Sequence, residues 1–188
     1  MPVYRLTITK ELQSGNDAKK RWSNVYHLND ASMAEAVLHA PVVVDYEKTI
    51  YPDNVAIVRW ALSDPAAPNT GQSTVVFVEG TAGAATPDTQ LPLFNAVLFK
   101  FNTATGRPSL KYLRLPLDES QVTGGQVNQA VLDTITTNWA IPVQQDTNVC
   151  DESGNAFTSY GFSHSVISRQ VGWHRRTRPG QKRGWVPA

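Results

Sequence analysis

Alternating apolar and polar positions open the chain and predict its first two strands. In residues 3–9, one face of an extended segment carries Tyr4, Leu6 and Ile8. Residues 21–28 alternate again, and their common face carries Trp22, Asn24, Tyr26 and Leu28. The segment 10–20 between them is polar, which is typical of a loop. We therefore predict an antiparallel hairpin with a long connection.

Further strands are predicted where β-branched and aromatic residues cluster between turn signals. They are 53–62, 74–79, 93–102, 109–115, and one or two within 155–170. Gly106 and Pro108 lie in the short connection between the third and fourth of these segments. Both residue types favour tight turns, so these two strands are predicted to form a second hairpin.

Two short helices are predicted from capping and from apolar residues at helical spacing. Ser32 and Glu35 have the separation of a capping box, so a helix starts there, and Pro41 limits it or marks a second start. Apolar residues recur at three- and four-residue intervals through 126–139, between a Gly-Gly pair and Pro142. The expected total is about seven or eight strands and two short helices.

Strands dominate this pattern, and turns rather than regular helical crossovers join neighbouring strands. That arrangement indicates a mainly β fold with antiparallel sheets. An antiparallel β-sandwich fits best, and a single jelly roll is the favoured way to close it. The alternative is a two-layer α+β antiparallel sheet with helices on one face. We expect a β-rich domain over residues 1–168 and a distinct arm over 169–188.

Composition narrows the class of protein. The chain has 188 residues, enough for one domain with a real core, and its single cysteine, Cys150, excludes an intramolecular disulfide. A buried, inert Cys150 is favoured over a nucleophile. No apolar run approaches the roughly 20 residues that span a bilayer, and the N-terminus has no signal-peptide pattern, so we expect no membrane association and synthesis inside a cell.

Catalytic and metal-binding patterns are absent from the sequence. No phosphate-binding loop, dinucleotide fingerprint, zinc-protease helix, nucleophile elbow or calcium loop is present. The four histidines are scattered and have no metal-binding spacing: His27, His39, His164 and His174. The sequence predicts a protein that is not an enzyme, with no catalytic residue, metal or cofactor, although a site built from dispersed residues stays open.

The arm at 169–188 carries the clearest functional signal. It holds six of the 17 Lys and Arg residues and no acid, which leaves 11 cations against 16 acids in residues 1–168. Arginine suits phosphate, and tryptophan can stack on unpaired bases. The residues assigned to nucleic-acid contact are Arg169, Trp173, His174, Arg175, Arg176, Arg178, Lys182, Arg183 and Trp185. The alternative is a disordered solubilising tail or a localisation signal.

A second cationic segment follows the turn of the predicted hairpin at 93–115. Arg107 and Lys111 would share one face of a strand, with Arg114 on the other. One interpretation is a weaker contact with phosphate or with another subunit. The other is a solvated strand whose cations pair with nearby acids.

The order of these segments resembles that of capsid (structural) proteins of small circular single-stranded DNA viruses that encode a replication initiator. Gly106-Arg107-Pro108-Ser109 is the most specific part of the resemblance. After an N-terminal strand, the matching segments are 21–26, an Ala-rich helix, 53–59, 91–95, 106–117, 151–154 and the Arg-rich end.

The resemblance implies a self-assembling coat protein with a jelly roll, a small icosahedral shell around single-stranded nucleic acid, and a location in the virion. Synthesis would take place in the cytoplasm or nucleus of the host. DNA is favoured over RNA as the nucleic acid. Many such proteins carry the basic arm at the N-terminus, whereas here it is C-terminal, which puts the usual strand topology in question.

Two other functions fit the same residues. One is a nucleic-acid-binding protein that forms no shell, and the other is a structural protein of a phage tail or head-completion assembly. Formation of regular particles separates the coat hypothesis from both.

Overall fold

Two larger antiparallel sheets, two two-stranded ladders and a set of helices make up the described part of the chain. The computed structural model describes residues 1–13, 21–51, 55–66, 96–117 and 120–163, and the backbone alone of 75–77, 93–95, 119, 167–168, 174–175 and 185–186. The strands are β1 (Tyr4–Leu12), β2 (Arg21–Leu28), β3 (Val55–Ser63), β4 (Val75–Phe77), β5 (Leu93–Thr103), β6 (Pro108–Leu117), β7 (Val122–Thr123), β8 (Gln126–Val127), β9 (Val149–Cys150), β10 (Phe157–Ser163), β11 (Ile167–Ser168), β12 (His174–Arg175) and β13 (Trp185–Val186). The helices are α1 (Met33–Lys48), α2 (Gln129–Ile135) and α3 (Ile141–Gln145).

The first sheet has the strand order β4-β3-β1-β2-β9, and every neighbouring pair is antiparallel. β1 and β2 form the predicted hairpin, with Tyr4 opposite Leu28 and Glu11 opposite Arg21. The apolar series of β1 and that of β2 point to the same buried side, which includes Leu6, Ile8, Tyr26 and Leu28. Sequence alternation therefore identified the buried face of this sheet.

The predicted start of the loop at residue 10 is wrong, because β1 continues to Leu12. Lys10 interrupts the apolar series, yet its side chain is fully buried and its Nζ lies 2.6 Å from Oε2 of Glu47. The carboxylate offsets the desolvation cost of the ammonium group, so a lysine can occupy a core position. A pattern of apolar residues alone ends the strand too early.

The second sheet is centred on β5, which pairs with β6 on one side and with β10 and β11 on the other. The predicted β5–β6 hairpin is confirmed. Its turn contains Gly106 at a φ of 76°, a conformation that favours glycine, and the Gly106 N–H donates to the Thr103 carbonyl at 2.9 Å. The two sheets meet where β2 and β6 lie side by side.

Helix α1 begins at the predicted capping box. The Glu35 N–H donates to Ser32 Oγ at 3.2 Å, and Glu35 Oε2 accepts from the Ala31 N–H at 3.1 Å. The prediction that Pro41 limits this helix or starts another is wrong, since α1 continues through it. Proline removes one backbone donor, and tertiary packing keeps the helix intact. Its buried side chains are Ala36, Ala40, Val43, Val44 and Glu47.

The second predicted helix, 126–139, is several elements instead of one. Its first two residues belong to β8, which pairs with β7 across two glycines, Gly124 and Gly125, with φ values of 58° and 82°. After α2, a π-helical turn spans 136–140, and α3 follows directly. Pro142 lies in the first turn of α3, where a missing N–H costs little. The helical backbone therefore extends beyond the predicted end at 139 and includes Pro142.

One core is enclosed by both sheets and the helices. The Trp139 ring lies 4.9 Å from the Phe99 ring and 5.5 Å from the Phe101 ring, and its Nε1 donates to the Tyr26 hydroxyl at 2.8 Å. This tryptophan thus joins the helical segment to both sheets. The mainly β, antiparallel fold class is confirmed. Closure of the sheets as a jelly roll stays a prediction. Helices that pack on the buried faces of sheets are also a feature of the alternative, a two-layer α+β antiparallel sheet.

Candidate nucleic-acid interface

Charge is divided between the strands and the helices. Among the described strands, Glu11 is the sole acidic residue. Eight strand positions are cationic: Arg5, Lys10, Arg21, Arg59, Lys100, Lys111, Arg114 and Arg175. The described helices have the opposite balance, with Glu35, Asp45, Glu47 and Asp133 against Lys48. Since α1 and the helical segment around Trp139 pack on the buried faces of the sheets, the exposed strand cations lie on the sheet side of the molecule and the exposed helix acids on the helix side. The loop acids, such as Asp151 and Glu152, do not follow this division.

Most of these strand cations are exposed on the outer faces of the sheets. Arg5, Arg21 and Arg59 lie on the first sheet, while Lys100 and Arg114 lie on the second. The side chain of Arg21 is held by Glu11, with Nε at 2.6 Å from Oε2. A surface with this balance attracts polyanions.

The C-terminal arm contains a short antiparallel ladder. β12 pairs with β13, so that His174 is opposite Val186 and Arg175 is opposite Trp185. The sequence segment between these strands, 176–184, lies outside the described residues. It carries four of the six arm cations: Arg176, Arg178, Lys182 and Arg183. The backbone thus brings together the two ends of the Arg-rich segment.

The remaining predicted arm contacts lie outside the described residues. They are Arg169, Trp173, Arg176, Arg178, Lys182 and Arg183. The backbone alone of His174, Arg175 and Trp185 is described. β11 ends directly before the arm, and it pairs with β5 at Phe94 and Asn95. The arm consequently leaves from the second sheet.

An open groove of about 1020 Å³ follows the line where β2 and β6 meet. Basic and titratable side chains along it are Arg5, His27, Arg107 and Lys111. Its acidic residues are Asp151 and Glu152, in the loop after β9. Asp151 stabilises its own loop, because its Oδ1 accepts hydrogen bonds from the N–H groups of Ser153 at 2.8 Å and Asn155 at 2.9 Å. Glu152 is the exposed acid of the pair.

Lys111 connects the two sheets at the floor of this groove. Its Nζ donates to the carbonyl oxygen of Val25 and lies 5.1 Å from the centre of the Tyr26 ring. Burial lowers the pKa of Lys111 to about 8. The ammonium group of Lys111 therefore contacts a carbonyl oxygen and an aromatic ring inside the protein. These contacts favour a structural role for Lys111 over a phosphate contact.

Arg107 and Arg114 differ from Lys111 in accessibility. Both are exposed, and Arg107 lies in the turn before β6. Lys111 and Arg114 fall on opposite faces of β6, as the spacing predicts, while Arg107 shares the groove with Lys111. Of the three weaker candidates, these two arginines can reach a phosphate.

Burial explains the shifted pKa values of two titratable groups near the groove. Cys150 is buried, and burial raises the pKa of its thiol to about 12, so it is not a nucleophile near neutral pH. Burial also lowers the pKa of His27, with a smaller contribution from Lys111. Within the described residues, no group of three or more His, Cys, Asp and Glu side chains could hold a metal ion.

Glu47 is the centre of a buried polar cluster that the sequence pattern does not reveal. Its carboxylate accepts from Lys10 Nζ at 2.6 Å, Asn24 Nδ2 at 2.7 Å and the Tyr26 hydroxyl at 2.5 Å. Glu47 and Lys10 have no exposed surface, so no substrate reaches them. The cluster fastens α1 to the first sheet. The only signal in the sequence is a lysine and a glutamate at positions where apolar residues are expected.

Comparison with known protein families, with characterised proteins and with solved structures finds no match for this chain. Among the described helices, none combines the length and apolarity that crossing a bilayer requires.

Proposed function

We propose that this chain is the coat subunit of a small icosahedral virus and contacts a packaged single-stranded genome through its C-terminal arm. The observation that carries the proposal is the separation of charge. Six cations without an acid lie in residues 169–188, and the preceding residues have a net charge of −5. The order of segments that resembles capsid proteins supports the same function.

The distribution of charge on the folded domain suggests an orientation in the shell. The arm leaves from the second sheet, and the outer faces of both sheets carry exposed cations. The described helices carry an excess of acids on the opposite side. In the proposed shell the sheets face the genome and the helices face outward, because this arrangement places cations next to phosphates.

Removal of the arm tests the nucleic-acid contact. We expect deletion of 169–188 to abolish co-purification of nucleic acid, measured as the absorbance ratio at 260 and 280 nm after a 0.1 M salt wash. A full-length control, with all six arm cations changed to Gln, should lose nucleic acid equally. If six cations meet phosphate, the log–log slope of affinity against salt is about −4 on single strands.

Unchanged nucleic-acid content in both arm variants would contradict the proposed contact. A loss in the deletion variant alone would show that the arm's backbone or tryptophans, rather than its charge, bind.

A nucleic-acid-binding protein that forms no shell is the second candidate, favoured by the same cations. It would bind nucleic acid without forming particles.

A further inference from the structure

The outer face of the second sheet carries a compact group of apolar, aromatic and cationic side chains. Residues directly opposite each other on antiparallel strands share a face. Leu98 of β5 is opposite Tyr112 of β6, Lys100 is opposite Leu110, and Ala96 is opposite Arg114. We call this surface the outer sheet face, and its members are Leu98, Lys100, Leu110, Tyr112 and Arg114.

Four of these side chains are exposed, and Leu98 is half-buried. Tyr112 is 62% exposed and Leu110 is 49% exposed, and Lys100 and Arg114 are also exposed. Neither Lys100 nor Arg114 forms an ion pair with a described residue. Exposed aromatic and aliphatic side chains beside these cations form a surface for which the described residues supply no ionic partner.

The neighbouring strand leaves this face uncovered. β10 places Gly161 opposite Lys100 and Ser163 opposite Leu98. A Cβ atom added at Gly161 would meet no atom of a described residue within 4 Å, so no described side chain covers the surface beside Lys100. The strands β5, β6 and β10 contain no acidic residue. A polyanion can therefore approach Lys100 and Arg114 without repulsion from these strands. Leu110 and Tyr112 also line the groove described above, whose exposed acid is Glu152.

The composition of the face fits an unpaired nucleic-acid strand. An exposed aromatic ring can stack on a base, and cations beside it can bind the phosphates on either side. Tyr112 and Arg114 are two residues apart on one strand, about 6.6 Å. Lys100 lies diagonally across from Tyr112 on β5. The ring is thus flanked by cations in two directions.

The position of the arm gives a second reason to expect nucleic acid on the outer sheet face. β11, which directly precedes the arm, pairs with β5 at Phe94 and Asn95. Ala96 is the next residue of β5, and it lies opposite Arg114. The arm therefore starts at the end of the sheet where Arg114 is located, and one strand of nucleic acid can contact both.

We propose that the outer sheet face is a second binding surface for single-stranded nucleic acid, in which Tyr112 stacks on a base and Lys100 and Arg114 bind phosphates. The proposal rests on the nucleic-acid contact proposed above, but not on shell formation. A duplex offers no unpaired base to stack on Tyr112, so the face should distinguish single strands from duplexes.

Substitution of the exposed ring tests the stacking contact. In full-length protein, Tyr112→Leu should raise the Kd for a fluorescent 20-nucleotide oligothymidine by a factor of about five to 150, measured by anisotropy. Tyr112→Phe keeps the ring and should bind within about twofold of wild type. Binding to a 20-base-pair duplex should change less than binding to the oligothymidine.

Removal of the cations tests the phosphate contacts. Lys100→Gln with Arg114→Gln should reduce the magnitude of the log–log salt slope on oligothymidine by about 1.4, because each phosphate contact contributes about 0.7. Lys48→Gln is the matched control: it removes an exposed lysine from α1 on the helix side and should leave the slope unchanged. Circular dichroism melting of each variant checks the fold, which these exposed positions should not affect.

The outcomes separate the outer sheet face from the arm. Suppose that Tyr112→Leu and the Lys100/Arg114 double variant bind within about twofold of wild type, while the variant with all six arm cations changed to Gln loses binding. The outer sheet face is then not a nucleic-acid surface, and the proposed function stands. If none of the variants changes binding, both proposals fail. If Tyr112→Leu prevents particle formation but leaves oligothymidine binding intact, the face contacts a second copy of this chain, and the proposal is overturned.

Discussion

At the scale of single residues, Glu47 shows how a charged side chain can hold this fold together. Its carboxylate has no exposed surface and accepts three hydrogen bonds, one from the equally buried Lys10. A buried ion pair adds little net stability compared with apolar residues, but removal of one partner leaves an uncompensated charge. The pair therefore makes α1 and β1 depend on each other.

Glu47→Gln should strongly destabilise the protein, because Lys10 then loses its compensating charge. We expect the free energy of unfolding to fall by about 3–5 kcal/mol. Urea denaturation followed by tryptophan fluorescence measures the change. Asp45→Asn, at an exposed position of the same helix, is the control and should change stability by less than about 0.5 kcal/mol. A loss below about 1 kcal/mol for Glu47→Gln would contradict the role given to this carboxylate.

The sequence predicts some residues of the candidate site but not others. The arm cations and the exposed Arg107 and Arg114 follow from charge and spacing. Lys111 looks equivalent in the sequence, yet its Nζ contacts a carbonyl oxygen of the other sheet. Tyr112 and Lys100 are not distinctive in the sequence, because cross-strand pairing alone brings them to one surface. Contacts between residues distant in sequence decide each of these cases.

At the scale of elements, His39 links α1 to the segments on either side of the helices. Its Nδ1 lies 3.2 Å from Oδ2 of Asp30, and its Nε2 lies 2.8 Å from Oδ2 of Asp146. Tyr46 also donates to Asp146, at 3.2 Å. With a carboxylate at each nitrogen, the ring is best satisfied as the doubly protonated cation. The hydrogen bond to Asp146 is the main cause that raises the pKa of His39, while His39 contributes to the lowered pKa of Asp146.

This contact should make the stability of the protein depend on pH. A raised pKa means that the contribution of His39 is complete below the ordinary value of 6.5 and disappears as the pH rises through the folded-state value. The contribution of Asp146 disappears only as the pH falls below its ordinary value of 3.8. His39→Gln should therefore lower the melting temperature more at pH 5.5 than at pH 8.5.

Thermal denaturation of wild type and His39→Gln at both pH values measures this difference. Wild-type protein in the same buffers is the reference, since other groups also titrate. An equal or larger effect of the substitution at pH 8.5 would show that His39 stabilises α1 by packing or by neutral hydrogen bonds alone.

The elements themselves show where sequence patterns succeed. Both hairpins, the buried face of β1 and the capping box of α1 follow from local rules that the tertiary structure does not override. Local rules fail at three places. They are the end of β1, the passage of α1 through Pro41 and the π turn before Pro142. In each of these places, burial against another element compensates for a residue that is locally unfavourable, such as a core lysine or a helical proline.

At the scale of the whole molecule, the proposed function rests on the charge of the arm, and the proposed orientation rests on the division of charge between strands and helices. The total charge of +1 conceals this division, and the sequence shows only the arm. The strand and helix assignments reveal that the exposed cations among the other described residues lie mainly on the outer faces of the sheets. An asymmetric subunit of this kind suits a shell whose inner surface meets nucleic acid and whose outer surface meets solvent.

Assembly is the central claim, and negative-stain electron microscopy of purified full-length protein tests it most directly. The protein is treated with nuclease and then imaged at several salt concentrations and pH values. We predict regular particles of uniform diameter that retain nuclease-resistant nucleic acid in the same density-gradient fraction. Only small species under every condition, with no protected nucleic acid, would contradict the coat function.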